Sequence, residues 1–433
     1  MICDKRIVNG SVSGVVERGL CNGCGTCQSS CPKDAIRLSL NSHIGLFVPI
    51  IDKTICTNCG SCRDACPGLG IDLRLFNLEL FGNALSDPLL GSYRMILNGH
   101  SNDERIRFGS ASGGMITQLL IYAFEKGVIN GALVTRMSRN NPLVPEPIVA
   151  RTVTEIVEAS KSKYCPVPAN VALREILESS SDDRFAVVGL PCHIHGLRKA
   201  EMVHERLRRR IRLHFGLFCG TGLNFLATEF LLRRMAITTQ DVVEIQYRGE
   251  GWPGKLTIHD IDGRRITVPY MDYFNFRLGP FINWRCRVCP DRTNFLSDIS
   301  FGDAWNRMTE SRNSPGESIL ISRTSIGDDL LRESAKAGLI DVFPTRREEI
   351  VKSQALYDKQ LEVSSRIGLA RRLGHNLPEY GIDLGRPRVL AYPRMMIEQL
   401  LSFVACNHLW GILDTYFDLL EGLARMKSRS GSG

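Results

Sequence analysis

The stretch Cys21-Asn-Gly-Cys24-Gly-Thr-Cys27-Gln-Ser-Ser-Cys31-Pro32 is repeated further on as Cys56-Thr-Asn-Cys59-Gly-Ser-Cys62-Arg-Asp-Ala-Cys66-Pro67. Both copies read C-x2-C-x2-C-x3-C-P. Three thiols two residues apart can wrap one cubane corner by corner, and a proline ends each local helix and turns the chain. Gly25 and Gly60 let the backbone come close to inorganic sulfide and donate N–H bonds to it. Zinc sites favour pairs of C-x2-C over triplets with a remote fourth ligand.

This is the bacterial ferredoxin run, in which the fourth cysteine of each copy serves the other cluster. Cys21, Cys24, Cys27 and Cys66 are therefore assigned to one 4Fe-4S cluster, and Cys31, Cys56, Cys59 and Cys62 to a second. A chain of 433 residues is too long for such a module alone. It has room for one or two further domains. The chain has 15 cysteines, an odd number, and in so large a chain those at motif spacing favour metal ligands or catalytic groups over disulfides.

Four regions follow from the pattern. Residues 1–70 form the two-cluster module. Residues 71–91 read as a linker, with an apolar stretch from Leu73 to Leu80 closed by Asp87-Pro88. Residues 92–360 alternate strand-like runs (Ala132–Thr135, Phe185–Val188, Leu213–Phe218, Ile319–Arg323) with helical ones (Ala169–Glu178, a stretch from Ile194, Asn224–Met235, Asp328–Ala337). Val242–Tyr247, Leu256–Ile261 and Arg265–Val268 add an antiparallel insertion, turning at Asp262-Gly263. Residues 361–433 read as a helical region with a disordered tail. The expected fold class is thus α+β: a bacterial-ferredoxin-like module, then an α/β domain with an antiparallel insertion, then helices.

The formal charge of +8 invites a nucleic-acid reading, but aromatic residues are only 7% of the chain and do not interleave with the basic ones. An oxidised 4Fe-4S core on four thiolates carries about −2, so three such sites would leave about +2. The dense basic run Arg206–Arg212 reads as a solvated face or a surface for an acidic partner. No apolar run reaches the roughly 18 residues of a membrane span, and Met1–Leu20 lacks the apolar core of a secretory signal. The expectation is a cytoplasmic protein, without nucleic acid, with membrane association disfavoured and a homo-oligomer allowed.

A second constellation lies downstream. Cys192 follows the strand-like run ending at Val188, Cys219 ends Leu213–Phe218, and Cys286 and Cys289 form a C-x2-C. In an open α/β sheet, cofactor sites gather beyond the carboxyl ends of strands. Together the four could hold a third cluster. Read singly, Cys192 and Cys219 could be apolar filler, and Cys286 with Cys289 half a zinc site. A further segment, Phe108-Gly-Ser110-Ala-Ser112-Gly113-Gly114-Met-Ile-Thr117, runs small residues into an amphipathic helix. Its N–H groups suit a phosphate, or it is an ordinary helix start.

These pieces occur in order with Ser162-Lys163-Tyr164, Val188-Gly189-Leu190-Pro191-Cys192, Cys286-x2-Cys289-Pro-Asp291 and Asp298-Ile-Ser-Phe-Gly302-Asp303-Ala-Trp305. Residues 92–360 thereby resemble the family of coenzyme F420 hydrogenase/dehydrogenase beta subunits, with the cluster module fused in front. The resemblance implies FAD and a third 4Fe-4S cluster on Cys192, Cys219, Cys286 and Cys289. It also implies a flavin-phosphate loop of Ser110, Ser112, Gly113, Gly114 and Thr117, with Lys163 and Tyr164 near the flavin. Asp298 and Asp303 either shape that pocket or are turn carboxylates.

The resemblance implies hydride transfer between FAD and an organic substrate, which in the family includes F420 and, in a plant relative, a chlorophyll side chain; other similar chains occur with polysaccharide biosynthesis functions. The expected activity is an FAD- and iron-sulfur-dependent oxidoreductase. Its partners would be a redox protein or ferredoxin and a small-molecule hydride donor or acceptor. The alternative is an electron-transfer subunit of a larger complex, docking through Met395–Leu423. No catalytic residue is singled out. His193 and His195 are candidates for proton relay, Arg285, Arg287 and Arg292 for tuning a cluster or binding an acidic substrate, and Cys3, Cys165 and Cys406 are spare thiols.

Overall fold

The computed structural model describes residues 11–305 and 315–430. Cys3 lies outside them. The largest element is an eight-stranded mixed sheet, in the order Ile340–Pro344, Met95–Ser101, Ser318–Ser322, Ile299–Asp303, Ile211–Leu217, Phe185–Gly189, Gly131–Met137 and Pro145–Ala150. Its centre is parallel, from Ile299–Asp303 through Ile211–Leu217 and Phe185–Gly189 to Gly131–Met137. The outer strands are antiparallel.

Both faces are covered, and the two-residue period of the strands assigns each side chain its layer. Ala132, Val134, Ala186, Leu213 and Phe215 face the helices Met115–Glu125 and Ser325–Lys336. Their neighbours Leu133, Phe185, Val187 and Ile211 face Ile194, Leu197 and Ala200 of the helix Pro191–Val203 on the other side.

The antiparallel insertion is a separate three-stranded sheet, Val242–Gln246, Lys255–Asp260 and Arg265–Pro269. It shares a core with Phe225 and Leu232 of the helix Phe225–Arg234. Four strands of the large sheet escape a periodicity reading. Met95–Ser101 contains Asn98-Gly99, which looks like a turn, and Pro145–Ala150 contains two prolines, which confine it to a sheet edge. Ile299–Asp303 and Ile340–Pro344 are short.

The expected linker is structured. Leu73–Phe81 is a helix whose N-cap Asp72 accepts from the N–H groups of Arg74 and Leu75, with Leu73 fully buried. The boundary drawn at 360 falls inside the helix Leu356–Arg372. Arg206–Arg210 belongs to the short helix Glu205–Arg210, and Arg210 is buried, donating to the carbonyls of Ile176 and Leu177.

The C-terminal stretch divides into the helices Tyr392–Cys406 and Trp410–Ser430. The segment Val389–Cys406 is long and apolar enough to cross a membrane, which the sequence reading did not expect because Arg394 and Glu398 interrupt the run. Met395, Val404 and Ala405 of this helix are nevertheless buried, and Glu398 pairs with Arg287 and Arg366 of neighbouring elements.

The cysteine module has its own small core of Val12, Val15, Leu20, Ala35 and Ile36, beside the hairpin Ile36–Asn41/Leu46–Ile51. It packs directly on the large domain. Gly25 takes a left-handed φ of 89°, and a Cβ there would lie 2.8 Å from the backbone nitrogen of Val171. Asn170 bridges Thr26 Oγ1 and the carbonyl of His193, each at 2.8 Å. Gly196, in the helix Pro191–Val203, leaves room for the same Thr26, whose Oγ1 would be 2.2 Å from an added Cβ.

A Gly196→Ala variant tests this seam. Helix propensity alone would stabilise it by about 1 kcal/mol. The clash with buried Thr26 outweighs that, and a net loss of about 1–3 kcal/mol is expected in thermal or denaturant unfolding, with faster proteolysis of the N-terminal module. A stabilised variant would mean that the seam is loose.

Candidate functional site

The eight module cysteines divide around two cavities. One is lined by Cys21, Cys24, Cys27 and Cys66 with Gly23, Gly25 and Gly68. The other is lined by Cys31, Cys56, Cys59 and Cys62 with Asn58 and Gly60. The fourth cysteine of each sequence run thus sits with the three of the other run.

Backbone N–H groups point at several sulfurs: Gly68 N donates to Cys66 Sγ and Ala35 N to Cys31 Sγ, both at 3.3 Å. Burial, and then the neighbouring thiols, push Cys66 up to about 12; burial likewise pushes Cys21 to about 11. Such mutually repelling buried sulfurs, supplied with N–H donors, suit a cationic iron-sulfide core. Among the described residues, no three His, Cys, Asp or Glu side chains converge at the spacing of a single-ion site. The second tetrad is the more open, since Cys59 is exposed.

The four downstream cysteines also converge. Cys192 lies in the first turn of Pro191–Val203, Cys219 just past the strand Ile211–Leu217, and Cys286 in the short helix Trp284–Arg287. Burial raises the Cys192 pKa most, and the charges of Cys286, Cys24, Cys219 and Cys289 raise it further. Cys24 belongs to the first tetrad, so the two groups of thiols are neighbours. Gly222 is required beside Cys286, whose Sγ would be 2.8 Å from a Cβ there.

The helix-start segment packs closely into the sheet. Gly113 could not carry a side chain, because a Cβ would lie 2.6 Å from the Gly99 carbonyl and 2.8 Å from Ser318 N. Ser110 Oγ donates to the carbonyl of Ile106 and Ser112 Oγ to that of Glu317. Gly114, at φ 76°, begins the helix Met115–Glu125, and Thr117 is buried in its first turn. What this segment still offers an anion is the N–H groups of that first turn.

Lys163 Nζ donates to the carbonyls of Ala159, Ser160 and Lys161, at the end of the helix Val153–Glu158. Burial lowers its pKa to about 7. Tyr164 packs against Phe274 at a tilt, with centroids 4.5 Å apart, and its hydroxyl meets Arg248 at 3.3 Å.

Arg248 is a residue the sequence reading missed. It is buried, donates to Asp303 at 2.7 Å and to the Pro253 carbonyl at 2.9 Å, and stands 4.6 Å from the Tyr270 ring centroid. Its Nη2, and Nε1 of the nearby Trp252, are buried donors with no partner among the described residues. Trp252 touches Gly316 beside Ser112, and its ring lies 4.9 Å from Trp305. The Ser110–Gly114 segment and Tyr164 are therefore joined by Trp252, Trp305 and Tyr270. Two unclaimed donors among flat rings fit a planar group with polar edges, as a flavin is. Strand-to-loop residues so far apart in sequence gave no local signal.

The proposed relay histidines are held structurally. His193 Nδ1 accepts from Leu190 N and Nε2 donates to the Val167 carbonyl, and burial lowers its pKa to about 4. His195 Nε2 meets Asp291 Oδ2 at 2.8 Å, both fully buried. Asp298 binds His214 through its backbone N–H and Nδ1, and His214 Nε2 reaches Glu201, which pairs with Arg198. Asp303 instead joins the aromatic site through Arg248.

The arginines around the C-x2-C spend their donors internally: Arg285 on Pro67 and Gly68 carbonyls, Arg287 on Gly279 and Ser402, Arg292 on Gly220. Cys165 is buried in the core of the small sheet and Cys406 is half-buried beside Trp410 and Leu401.

Comparison with known proteins gives three matches along the chain. Residues 20–71 match a 4Fe-4S dicluster domain, 96–174 the N-terminal part of the coenzyme F420 hydrogenase/dehydrogenase beta subunit, and 182–348 its C-terminal part. The chain is 28% identical over 275 residues to the beta subunit of coenzyme F420 hydrogenase of Methanothermobacter thermautotrophicus, spanning 63% of this chain and 91% of that protein. It is 26% identical over 302 residues to a subunit of the F(420)H(2) dehydrogenase of Methanosarcina mazei, spanning 68% and 80%. A chain of the F420-reducing NiFe hydrogenase complex from Methanosarcina barkeri shares the fold, with a TM-score of 0.51 at 22% identity over 66% of this chain and 94% of that one.

The Asp298–His214–Glu201–Arg198 network yields a pH signature. Burial and Arg198 would lower the His214 pKa, but Glu201 and Asp298 outweigh them and raise it. Protonated His214 therefore stabilises the fold. That contribution is fully present below the ordinary histidine pKa of about 6.5 and is lost as pH rises through the raised folded value. His214→Gln is expected to cost about 3–5 kcal/mol near pH 6, with the gap to the parent closing at higher pH in denaturant titrations. A gap independent of pH would show that His214 is neutral in the fold.

Proposed function

The chain belongs to the family of coenzyme F420 hydrogenase/dehydrogenase beta subunits, and from that premise we propose an iron-sulfur flavoprotein that passes electrons between three 4Fe-4S clusters and FAD, exchanging hydride with F420 or another organic substrate. The observation that carries the reading is the line of thiols. A more open tetrad, Cys31, Cys56, Cys59 and Cys62, of which Cys59 is exposed, lies beside a deeper one, Cys21, Cys24, Cys27 and Cys66, which neighbours Cys192, Cys219, Cys286 and Cys289. Phe218, next to Cys219, packs on Gly302, and Asp303 follows with Arg248 and the aromatic rings.

FAD, when bound, couples one-electron clusters to two-electron hydride chemistry. Met115, Ile116 and Thr117 would offer first-turn N–H groups to its phosphates, with Ser110, Ser112, Gly113 and Gly114 shaping that turn. Arg248 Nη2 and Trp252 Nε1 would take polar edges of the ring system, while Tyr164, Tyr270 and Trp305 exclude water from it. Asp303 holds Arg248 in place. Lys163 closes the helix end that precedes Tyr164.

The second reading, a subunit that relays electrons to a larger assembly without a substrate of its own, draws on the relatives, which are themselves subunits, and on exposed Leu400 and Phe403 of the C-terminal helix. Turnover of F420 or a viologen dye by the isolated chain separates the two. Activity alone supports the enzyme, and activity only after adding a partner supports the relay.

Metal and flavin analysis tests the count. About twelve irons with matching sulfide and one FAD per chain are expected, at four irons per cluster. Cys219→Ala should fall toward eight irons, removing one cluster signal in electron paramagnetic resonance and sparing the other two. Eight irons in the parent chain would eliminate the third cluster, and zinc in its place would make Cys286 and Cys289 a structural clip. Separately, Arg248→Gln is expected to lower FAD retention at least tenfold at unchanged iron content. Retention unchanged would move the flavin elsewhere.

A further inference from the structure

The two tetrads of the N-terminal module differ in what surrounds their loops. Around the buried tetrad, five backbone carbonyls accept from donors of the large domain. Cys21 accepts from Asn283 Nδ2 at 3.3 Å, Cys24 from Asn170 N at 2.9 Å, and Cys66 from Lys199 Nζ at 2.7 Å. Pro67 and Gly68 accept from Arg285 Nη2 and Nε at 2.9 and 3.1 Å. Arg285 is buried and stacks over the Tyr380 ring; Lys199 is half-buried. Among the described residues, neither cation has a carboxylate at ion-pair distance.

Among the described residues, the open tetrad has no such charge. Arg63 is paired with Asp64 at 3.0 Å, Arg174, which donates to the Cys31 carbonyl, is paired with Asp34, and Lys33 on the cavity rim is exposed. An exposed or paired cation is screened, whereas an unpaired one that is buried, as Arg285 is, or half-buried, as Lys199 is, acts through a lower dielectric than water.

Burial and charge then act in opposite directions. Each cluster gains negative charge on reduction. Burial therefore lowers a potential, and a nearby cation raises it. From burial alone, the inner cluster would be the harder to reduce, and electrons would stay at the surface.

We propose that Lys199 and Arg285 are positioning residues that reverse this order, holding the inner module cluster at a higher potential than the outer one so that electrons run from the exposed face toward Cys192, Cys219, Cys286 and Cys289. Arg285 also fixes the distance of that step, since it grips the loop after Cys66 while its own backbone neighbour is Cys286. The inference rests on the three-cluster reading.

The test is a potentiometric titration of the full chain with its clusters assembled, followed by electron paramagnetic resonance. In Lys199→Gln, one module signal is expected to move to lower potential by an equilibrium factor of about ten, or about 59 mV for one electron, while the other module signal stays. Lys199→Arg should restore it, and Arg285→Gln should shift the same signal in the same direction. Lys33→Gln, at the outer rim, should leave both in place.

Unchanged midpoints in Lys199→Gln and Arg285→Gln, equal shifts of both signals, or loss of iron with no shift in the clusters that remain would each overturn the proposal. A parent chain with only eight irons and no third signal would instead remove the underlying reading, and is seen before any variant is made.

Discussion

Backbone carbonyls that are buried must find donors, and the loops that carry Cys21, Cys24 and Cys66 are buried against another domain. This constraint shapes the junction. A cluster loop winds its N–H groups toward sulfur, so its carbonyls turn outward, and here they turn toward the large domain. Asn170, Lys199, Asn283 and Arg285 answer them. The chain after the module is held in the same way: Ile71 N and Glu379 O, and Leu73 N and Tyr380 O, join the first linker residues to a segment more than three hundred positions away. The module is therefore an integral layer of the molecule and not a mobile appendage.

The large sheet supplies the other half of the geometry. Its central strands are parallel, so their carboxyl ends open on the same edge. Cys192 and Cys219 arrive there from adjacent strands Phe185–Gly189 and Ile211–Leu217. Asn294 ties that edge together by donating to the carbonyls of Gly189 and Leu217, and Gly216 leaves it room, since a Cβ would lie 2.5 Å from Asn294 Cγ. The same edge continues through Gly302 and Asp303 to Arg248. One sheet edge therefore carries both the thiols and the aromatic site.

Much of this was legible in the residues. The doubled C-x2-C-x2-C-x3-C run is the bacterial ferredoxin pattern, in which the fourth cysteine of each copy serves the other cluster, and the two cavities are lined by thiols grouped in that crossed way. Apolar runs such as Phe185–Val188 located the buried strands. What escaped was whatever depends on contacts distant in sequence. Met95–Ser101 looks like a turn because of Asn98-Gly99, yet Gly99 leaves room for the Asp341 carbonyl and Val342 of the neighbouring strand. Asp298 looked like a turn carboxylate or pocket wall; only the fold brings His214 and Glu201 to it. Lys163 carries a family motif, but its ammonium closes a helix end, a role no spacing announces.

The formal charge of +8 is the clearest case of a bulk property whose meaning depends on location. A basic protein suggests an external acidic partner when its cations line one face. Here several of the arginines are inside, serving carbonyls: Arg210 on Ile176 and Leu177, Arg285 on Pro67 and Gly68, Arg323 on Ser92 and Thr293. A guanidinium suits this because its planar fork satisfies two carbonyls at once and its charge is not easily removed by burial. Burying such cations without carboxylate partners is costly in isolation. It becomes favourable beside groups that bring negative charge of their own, as thiolate-bound iron-sulfur cores do. Part of the positive charge is thus internal to the molecule, and Arg285 among these cations lies beside the cysteines spaced to hold a cofactor.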